Sequence, residues 1–247
     1  MSDREMSDRA LSDDARPTLY RAITCNFCHR SEIAFAAKGV EIDTVDIDLV
    51  DRPDWYMTKA SGGSVPLLEW GEVSIHPSQV INEWIDERWP TPPLFPADPT
   101  ERAAARMWVE WWNDGPCPAY ERRLMNVRPE QDAPLTDALV DQLAEMERRL
   151  AARGYVDGYW HGEALGVVDA TAAPMFVRFC GLRHFHGFDI PAEFGRVRRW
   201  RDTLVSDPLV TATSPDEAEL LAAYDGYLTV LGRAAKAGIH VPVAKGD

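Results

Sequence analysis

The stretch Thr24-Cys25-Asn26-Phe27-Cys28-His29-Arg30 constrains this chain more than any other. It stands between a short apolar run, Leu19 to Ile23, suited to a buried strand, and a segment, Ser31 to Lys38, that reads as a helix ending at Gly39. A strand that delivers C-x-x-C to the mouth of a helix is an arrangement for redox or nucleophilic chemistry. Cys25, just outside the helix, would face its unpaired backbone N–H groups and the positive end of its dipole, which favour a thiolate over a thiol. Cysteines so placed have pKa values of roughly 3.5 to 7.5, against about 8.5 when free. Cys28 would lie one turn in, close enough to attack a mixed disulfide on Cys25. Zinc would need a second ligand pair, and the other cysteines, Cys117 and Cys180, have no histidine at metal spacing except His184 and His186; no metal site is expected. A structural disulfide between Cys25 and Cys28 is the plain alternative, and at a helix start it would still be exchangeable.

At 247 residues the chain is long enough for one large or two modest cores. A formal net charge of −14 argues against a nucleic-acid partner, because phosphate binding wants a surplus of Lys and Arg. The acid is spread along the chain, which makes solubility its simplest meaning. No apolar run approaches the ~20 residues of a membrane span, so no membrane partner is expected. Met1 to Ala15 lacks the apolar core of a signal peptide and is an imperfect repeat, MSDRE, MSDRA, LSDDA, with almost nothing to bury. Residues 1–16 are therefore expected as a disordered tail. Four cysteines, of which only Cys25 and Cys28 are close together, do not make a secreted disulfide framework, and a reducing cytoplasm is the simplest compartment.

From Pro17 to Pro90 short strands alternate with helices. Val45, Ile47 and Leu49 alternate with Asp46 and Asp48 as in a half-buried strand. Arg52-Pro53-Asp54-Trp55 begins a short turn or helix, Ser61-Gly62-Gly63-Ser64 is a loop, and Val65 to Trp70 reads as a strand with proline near its start. Gly71 permits a tight reversal into Val73 to Ile75, and a helix follows from about Ser78 with Val80, Ile81, Trp84 and Ile85 on one face. This order predicts a small mixed sheet covered by helices on both faces. With C-x-x-C at the first strand-to-helix junction, the 17–90 segment resembles a thioredoxin-like domain, which implies a cis Val65–Pro66 bond with its backbone near Cys25. The proline-rich 91–99 stretch reads as a linker. The 100–238 segment reads as all-helical, starting on the cap signal Asp98-Pro99-Thr100-Glu101. A break is predicted near Asn113-Asp114-Gly115-Pro116, with helices over about 136–153, a central buried helix over 168–181, one through Phe194, Val197, Trp200 and Leu204, and a last one from Ser214-Pro215-Asp216-Glu217 through about Leu231. Residues 239–247 are left as a C-terminal tail. His29 reads as an exposed first-turn residue, and Cys117 and Cys180 as buried small residues.

A thioredoxin-like domain followed by an all-α helical domain resembles the cytosolic glutathione transferase architecture, and the detailed likeness is to the omega class. Cys25-Asn26-Phe27-Cys28 resembles its C-P-F-x active site, Arg52-Pro53-Asp54-Trp55-Tyr56 its K-P-E-W-F, and Ser64-Val65-Pro66-Leu67-Leu68-Glu69 its L-V-P-V-L-E. Glu83 to Pro90 resembles E-Y-L-D-E-A-Y-P, and Leu94 to Pro99 resembles L-L-P-D-D-P. The resemblance is nearly continuous from Leu19 to Pro99 and mainly architectural beyond Thr100. There Gly166-Val167-Val168-Asp169 stands at the usual Ser/Thr-x-x-Asp capping box without its hydroxyl.

The resemblance implies Cys25 as nucleophile, Phe27 against a bound thiol peptide, Arg52 at the glycine-end carboxylate of glutathione, Val65 beside Pro66 pairing its backbone with the cysteinyl backbone, and Ser78 at the γ-glutamyl carboxylate. Read without it, Phe27 packs in the core, Arg52 is a solvated charge and Ser78 is an N-cap. Two departures stand out. Asn26 replaces a proline between the cysteines, and Pro77 replaces the acid that holds the γ-glutamyl ammonium, so another low-molecular-weight thiol is an alternative to glutathione. The architecture implies a homodimer and a small hydrophobic or disulfide substrate. For the latter Trp108, Trp111, Trp112 and Tyr120 are pocket candidates, although an aromatic stripe at i, i+3, i+4 also suits core or dimer packing. The expected function is an omega-like thiol transfer or deglutathionylation through Cys25. Its rivals are a glutathione-independent C-x-x-C oxidoreductase and a non-catalytic binding module.

Overall fold

In the computed structural model, which describes residues 16–238, the apolar run after Pro17 forms strand β1 (Thr18–Arg21) and leads through a turn into helix α1 (Asn26–Ala37). Strand β2 (Asp43–Asp46), helix α2 (Asp54–Lys59), a 3-10 turn (Ser61–Gly63), strands β3 (Leu67–Trp70) and β4 (Val73–Ile75), and helix α3 (Ser78–Arg88) follow. The sheet order is β2-β1-β3-β4. β1 runs parallel to β2, with Thr18 opposite Asp43, and antiparallel to β3, with Leu19 opposite Leu68; β3 and β4 form a hairpin. This is the mixed sheet of a thioredoxin-like domain, with a helical segment after it.

Strand alternation sends the two sides of the sheet to different cores. Leu19 and Leu68, a facing pair, are completely buried. On the other side Tyr20, Ile47, Tyr56, Ala60 and Leu67 cluster, with Val45 and Val65 packed against them. Helices α1 and α3 pack on one another and are tied by two polar links: Ser31 Oγ donates to Asn82 Oδ1 at 2.9 Å, and Lys38 Nζ to Asp86 Oδ1 at 2.6 Å.

Several boundaries differ from expectation for identifiable reasons. β2 stops at Asp46, although the Ile47 N–H still donates to the Arg21 carbonyl at 2.7 Å. The Asp48 carboxylate then accepts the N–H groups of Val50 and Asp51 at 2.7 and 3.2 Å, and the chain turns away. α1, by contrast, starts directly after Cys25, whose side chain caps it, as the expected placing of Cys25 just outside the helix implies. His29 consequently shares a helix face with Ile33, and both are completely buried; the exposed first-turn reading of His29 is corrected.

The chain divides into two compact units, up to Leu94 and from Phe95. The second contains helices α4 (Pro99–Asp114), α5 (Pro116–Leu124), α6 (Asp132–Ala152), α7 (Val167–Val177), α8 (Phe179–His186), α9 (Gly195–Ser206), α10 (Pro208–Thr213) and α11 (Glu217–Lys236). Asp98 caps α4 as its sequence predicts, accepting the Thr100 and Glu101 N–H groups at 2.9 Å, and Asp216 caps α11 in the same way. Such caps are each worth about 1 kcal/mol. α10 was not anticipated, yet it opens on the same Asp-Pro signal, with Asp207 accepting the N–H groups of Leu209 and Val210. The expected single helix over 168–181 is two: Arg178 (φ −83°, ψ 0°) leaves the helical region after Pro174, and α8 begins on a tight bond from the Gly181 N–H to the Arg178 carbonyl. The expected tails fall on residues 1–15 and 239–247, outside the described residues, apart from Arg16, which pairs with Glu41. No described helix is long and apolar enough to cross a membrane.

Candidate active site

Cys25 occupies the N-cap of α1 in extended backbone conformation (φ −81°, ψ 116°). Its N–H donates to the Ala22 carbonyl at 3.0 Å, closing the turn that delivers it from β1, and its carbonyl accepts the His29 N–H at 3.4 Å. Its Sγ accepts the Cys28 backbone N–H at 3.3 Å. One otherwise unpaired helix donor is thus spent on the sulfur, at the positive end of the helix dipole, a combination that favours negative charge there. Sγ also lies 3.9 Å from the Val65 carbonyl oxygen. The Val65–Pro66 bond is cis, and the expected approach of that backbone to Cys25 is met.

The second cysteine differs in kind. Cys25 is half-buried and Cys28 buried, and the two are free thiols rather than a disulfide. The Cys28 thiol pKa is pushed well above the ordinary value, first by burial, then by its hydrogen bond to Cys25 and the charge there. A buried group so shifted stays protonated at neutral pH. The pair is an open, capped sulfur backed by a closed, protonated one.

Around it, Phe27 is half-buried with the Arg30 guanidinium carbon 4.5 Å from its ring centre. Arg52 is exposed, and Pro66 is buried behind the half-buried Val65. Ser78 is buried, but it is the first helical residue of α3 rather than its cap: Pro77 holds the N-cap position, and its carbonyl accepts the Val80 and Ile81 N–H groups at 2.9 and 3.1 Å. The N-cap reading of Ser78 is therefore corrected. Proline brings the α3 terminus neither a side-chain acceptor nor a charge.

The aromatic stripe belongs to the core of the second unit. Trp112 is 1% exposed and set edge-on to Phe176 and Trp200; Tyr120 is 0% exposed, stacked on Phe179, its hydroxyl donating to the Arg178 carbonyl at 2.8 Å. Trp108 is buried among Trp160, Trp200 and Trp111. Rings enclosed in this way have no face to offer a ligand, so the pocket expectation is corrected for Trp108, Trp112 and Tyr120. Only Trp111 is half-buried, and the Arg149 guanidinium sits 4.3 Å over its ring. Spacing identified the stripe; it carried no information on which side of α4 the partner rings stand.

One residue near the cysteines escaped the sequence reading. Tyr56, the last residue of the Arg52–Tyr56 motif, is completely buried, and its hydroxyl donates to the Ser64 carbonyl, one residue before Val65, at 2.7 Å. The signal available was the hydroxyl itself, at a place where the motif that it resembles carries phenylalanine.

Two family models cover this fold: the N-terminal domain of glutathione S-transferase over residues 19–93 and its C-terminal domain over residues 82–203. The chain is 29% identical over 211 residues to glutathione S-transferase omega-2 of Mus musculus, covering 85% of this chain and 83% of that one. It is 27% identical over 211 residues to glutathione S-transferase omega-1 of Sus scrofa, covering 85% of each. Among solved structures, glutathione transferase Omega 1C from Trametes versicolor superposes with a TM-score of 0.73 at 23% identity, over 87% of this chain and 98% of that one. The chain belongs to the glutathione S-transferase family, and omega-class proteins are among its relatives.

Proposed function

We propose that this chain is a glutathione-dependent thiol transferase in which Cys25 is the nucleophile. The observation that carries the reading is the asymmetry of the two cysteines: Sγ of Cys25 accepts a helix-terminal N–H at 3.3 Å, while Cys28 is buried with a raised pKa. In the proposed reaction the Cys25 thiolate attacks the glutathione-side sulfur of a mixed disulfide. The old S–S bond breaks, the departing thiolate takes a proton, and Cys25 is left glutathionylated. A second glutathione thiolate then attacks the glutathionyl sulfur, regenerating the Cys25 thiolate and releasing glutathione disulfide. Cys28, protonated and enclosed, is a poor resolving nucleophile, which supports resolution by the second glutathione.

In the same reading Phe27 lies against the thiol peptide, Arg52 meets its glycine-end carboxylate, the Val65 main chain beside Pro66 pairs with its cysteinyl backbone, and Ser78 at the α3 N-terminus receives its γ-glutamyl carboxylate, an apt place for an anion. With Pro77 at the cap, this segment supplies no acid to the γ-glutamyl ammonium. A homodimer in a reducing cytoplasm belongs to the proposal, with sedimentation at micromolar concentration as its check.

Turnover of a small mixed glutathione disulfide, with and without free glutathione, tests the mechanism. Wild type is expected to require glutathione, Cys25→Ser to fall to the uncatalysed background, and Cys28→Ser to retain activity within about twofold. Turnover that ignores glutathione and vanishes in Cys28→Ser would instead identify a dithiol oxidoreductase. No turnover in the wild type would point to another thiol, to protein disulfides or to a binding role.

A further inference from the structure

Tyr56 brackets the loop that leads to Val65. Its carbonyl accepts the Ala60 N–H at 2.9 Å, and its hydroxyl donates to the Ser64 carbonyl at 2.7 Å. One residue therefore fixes both ends of the Ala60–Ser64 turn. The ring is completely buried, 5.5 Å from Tyr20 and edge-on to Trp55 at 5.7 Å between centroids. It belongs to the cluster against which Val65 packs. A ring held on all sides cannot follow the turn elsewhere, so its hydroxyl is a fixed donor to which the turn must conform. Burial above all raises its pKa, which keeps it a donor.

The turn also touches Arg52. Gly63 has φ +64°, and a Cβ there would stand 2.8 Å from Arg52 Cδ and overlap the Met57 sulfur. The stem of Arg52 thus lies directly on the turn that Tyr56 ties. On the far side of the tie, the Val65 carbonyl lies 3.9 Å from Cys25 Sγ.

We infer that the Tyr56 hydroxyl is a positioning residue: it holds the Ser64–Val65 main chain and the turn under Arg52 in the geometry that presents both to the thiol peptide opposite Cys25. This rests on the glutathione reading above. It goes beyond that reading by assigning part of the affinity for the thiol to a hydroxyl that does not touch it. The motif that this segment resembles has phenylalanine here, so the ring alone is compatible with the fold.

The test compares Tyr56→Phe with Tyr20→Phe. The latter removes a hydroxyl from the same cluster, one that donates to Glu69 Oε2 at 3.0 Å instead of to the turn. Tyr56→Phe is expected to raise the KM for glutathione about three- to tenfold, the factor corresponding to one net hydrogen bond, with kcat within about twofold. Amide exchange over residues 62–67 is expected to accelerate together with it, while Tyr20→Phe changes neither. Unfolding midpoints check that both variants are folded. An unchanged KM in Tyr56→Phe overturns the inference whether or not exchange accelerates, as does an equal rise in Tyr20→Phe. A wild type without glutathione-dependent turnover overturns the reading beneath it instead, and the role of the hydroxyl with it.

Discussion

The cysteine corner of the first unit and the aromatic core of the second are built on opposite plans. Around Cys25 the geometry is set by main-chain groups and single hydrogen bonds: the Ala22 turn, the Cys28 N–H, the Val65 carbonyl, and the Tyr56 tie to Ser64. In the second unit Trp108, Trp112, Trp160, Trp200 and Phe176 enclose one another edge to face, and a buried acid, Asp169, is tied to Trp160 and Trp200 by hydrogen bonds. The difference teaches where substitution acts. In the corner a side-chain change alters chemistry and leaves most of the packing in place; in the core it alters stability and leaves the sulfur untouched.

The largest effect on the stability side is expected from Trp200. It is completely buried against Trp108, Trp112 and Phe176, and its Nε1 donates to Asp169 Oδ1 at 2.8 Å. Trp200→Ala removes the ring and leaves a cavity, at a cost of about 3 to 5 kcal/mol, a large share of a typical margin. Urea unfolding measures it. Trp200→Phe should lose less, and the rate of Cys25 alkylation in the folded fraction should match wild type in both. A changed alkylation rate would break the comparison.

Asp169 offers a second, smaller test with a sign. Its carboxylate accepts the Trp160 and Gly166 N–H groups at 2.9 and 3.1 Å as well as the Trp200 indole, yet burial dominates and raises its pKa from 3.8 to about 6. The folded state therefore holds its proton at a pH where the unfolded chain has lost it. The stability that this gives is fully present below about pH 4 and is lost as pH rises through about 6. A rise to about 6 is worth roughly 3 kcal/mol as an upper figure. The difference in unfolding free energy between wild type and Asp169→Asn should shrink by up to that amount across the window. A difference that grows with pH would mean that the hydrogen bonds outweigh burial.

The same contrast explains what the sequence disclosed. Local signals worked wherever a residue acts through its neighbours in the chain. The C-x-x-C at a helix mouth, the Asp98-Pro99 cap and the Gly71 reversal each describe a few consecutive residues, and each stands as expected. Signals failed where the partner is distant. Nothing in residues 108–120 says that Trp112 faces Phe176 and Trp200, which are far along the chain. His29 stands in the first turn as expected, but nothing near it in the chain says that the face it shares with Ile33 is buried. The role of Tyr56 leaves no trace in the sequence, because its acceptor is a main-chain carbonyl, invisible in any pattern of side chains.

The smallest prediction probes a residue that fits neither plan. Ser31 is in α1, close in sequence to the cysteines, yet it is completely buried and donates to Asn82 Oδ1 of α3 at 2.9 Å. If it belongs to the corner, its loss should reach the sulfur; if it belongs to the packing, its loss should be felt only in stability. Buried polar pairs cost most when one partner is removed and the other is left without its bond. Ser31→Ala should therefore cost about 1 to 2 kcal/mol in urea unfolding, while Ser31→Ala with Asn82→Leu, which removes both ends, should recover much of that. Cys25 alkylation should stay within about twofold of wild type in both variants, because the turn from Ala22 and the Cys28 N–H hold the sulfur without the α1–α3 link. An alkylation rate that falls in Ser31→Ala and returns in the double variant would show that helix packing, and not local capping alone, sets the reactivity of Cys25.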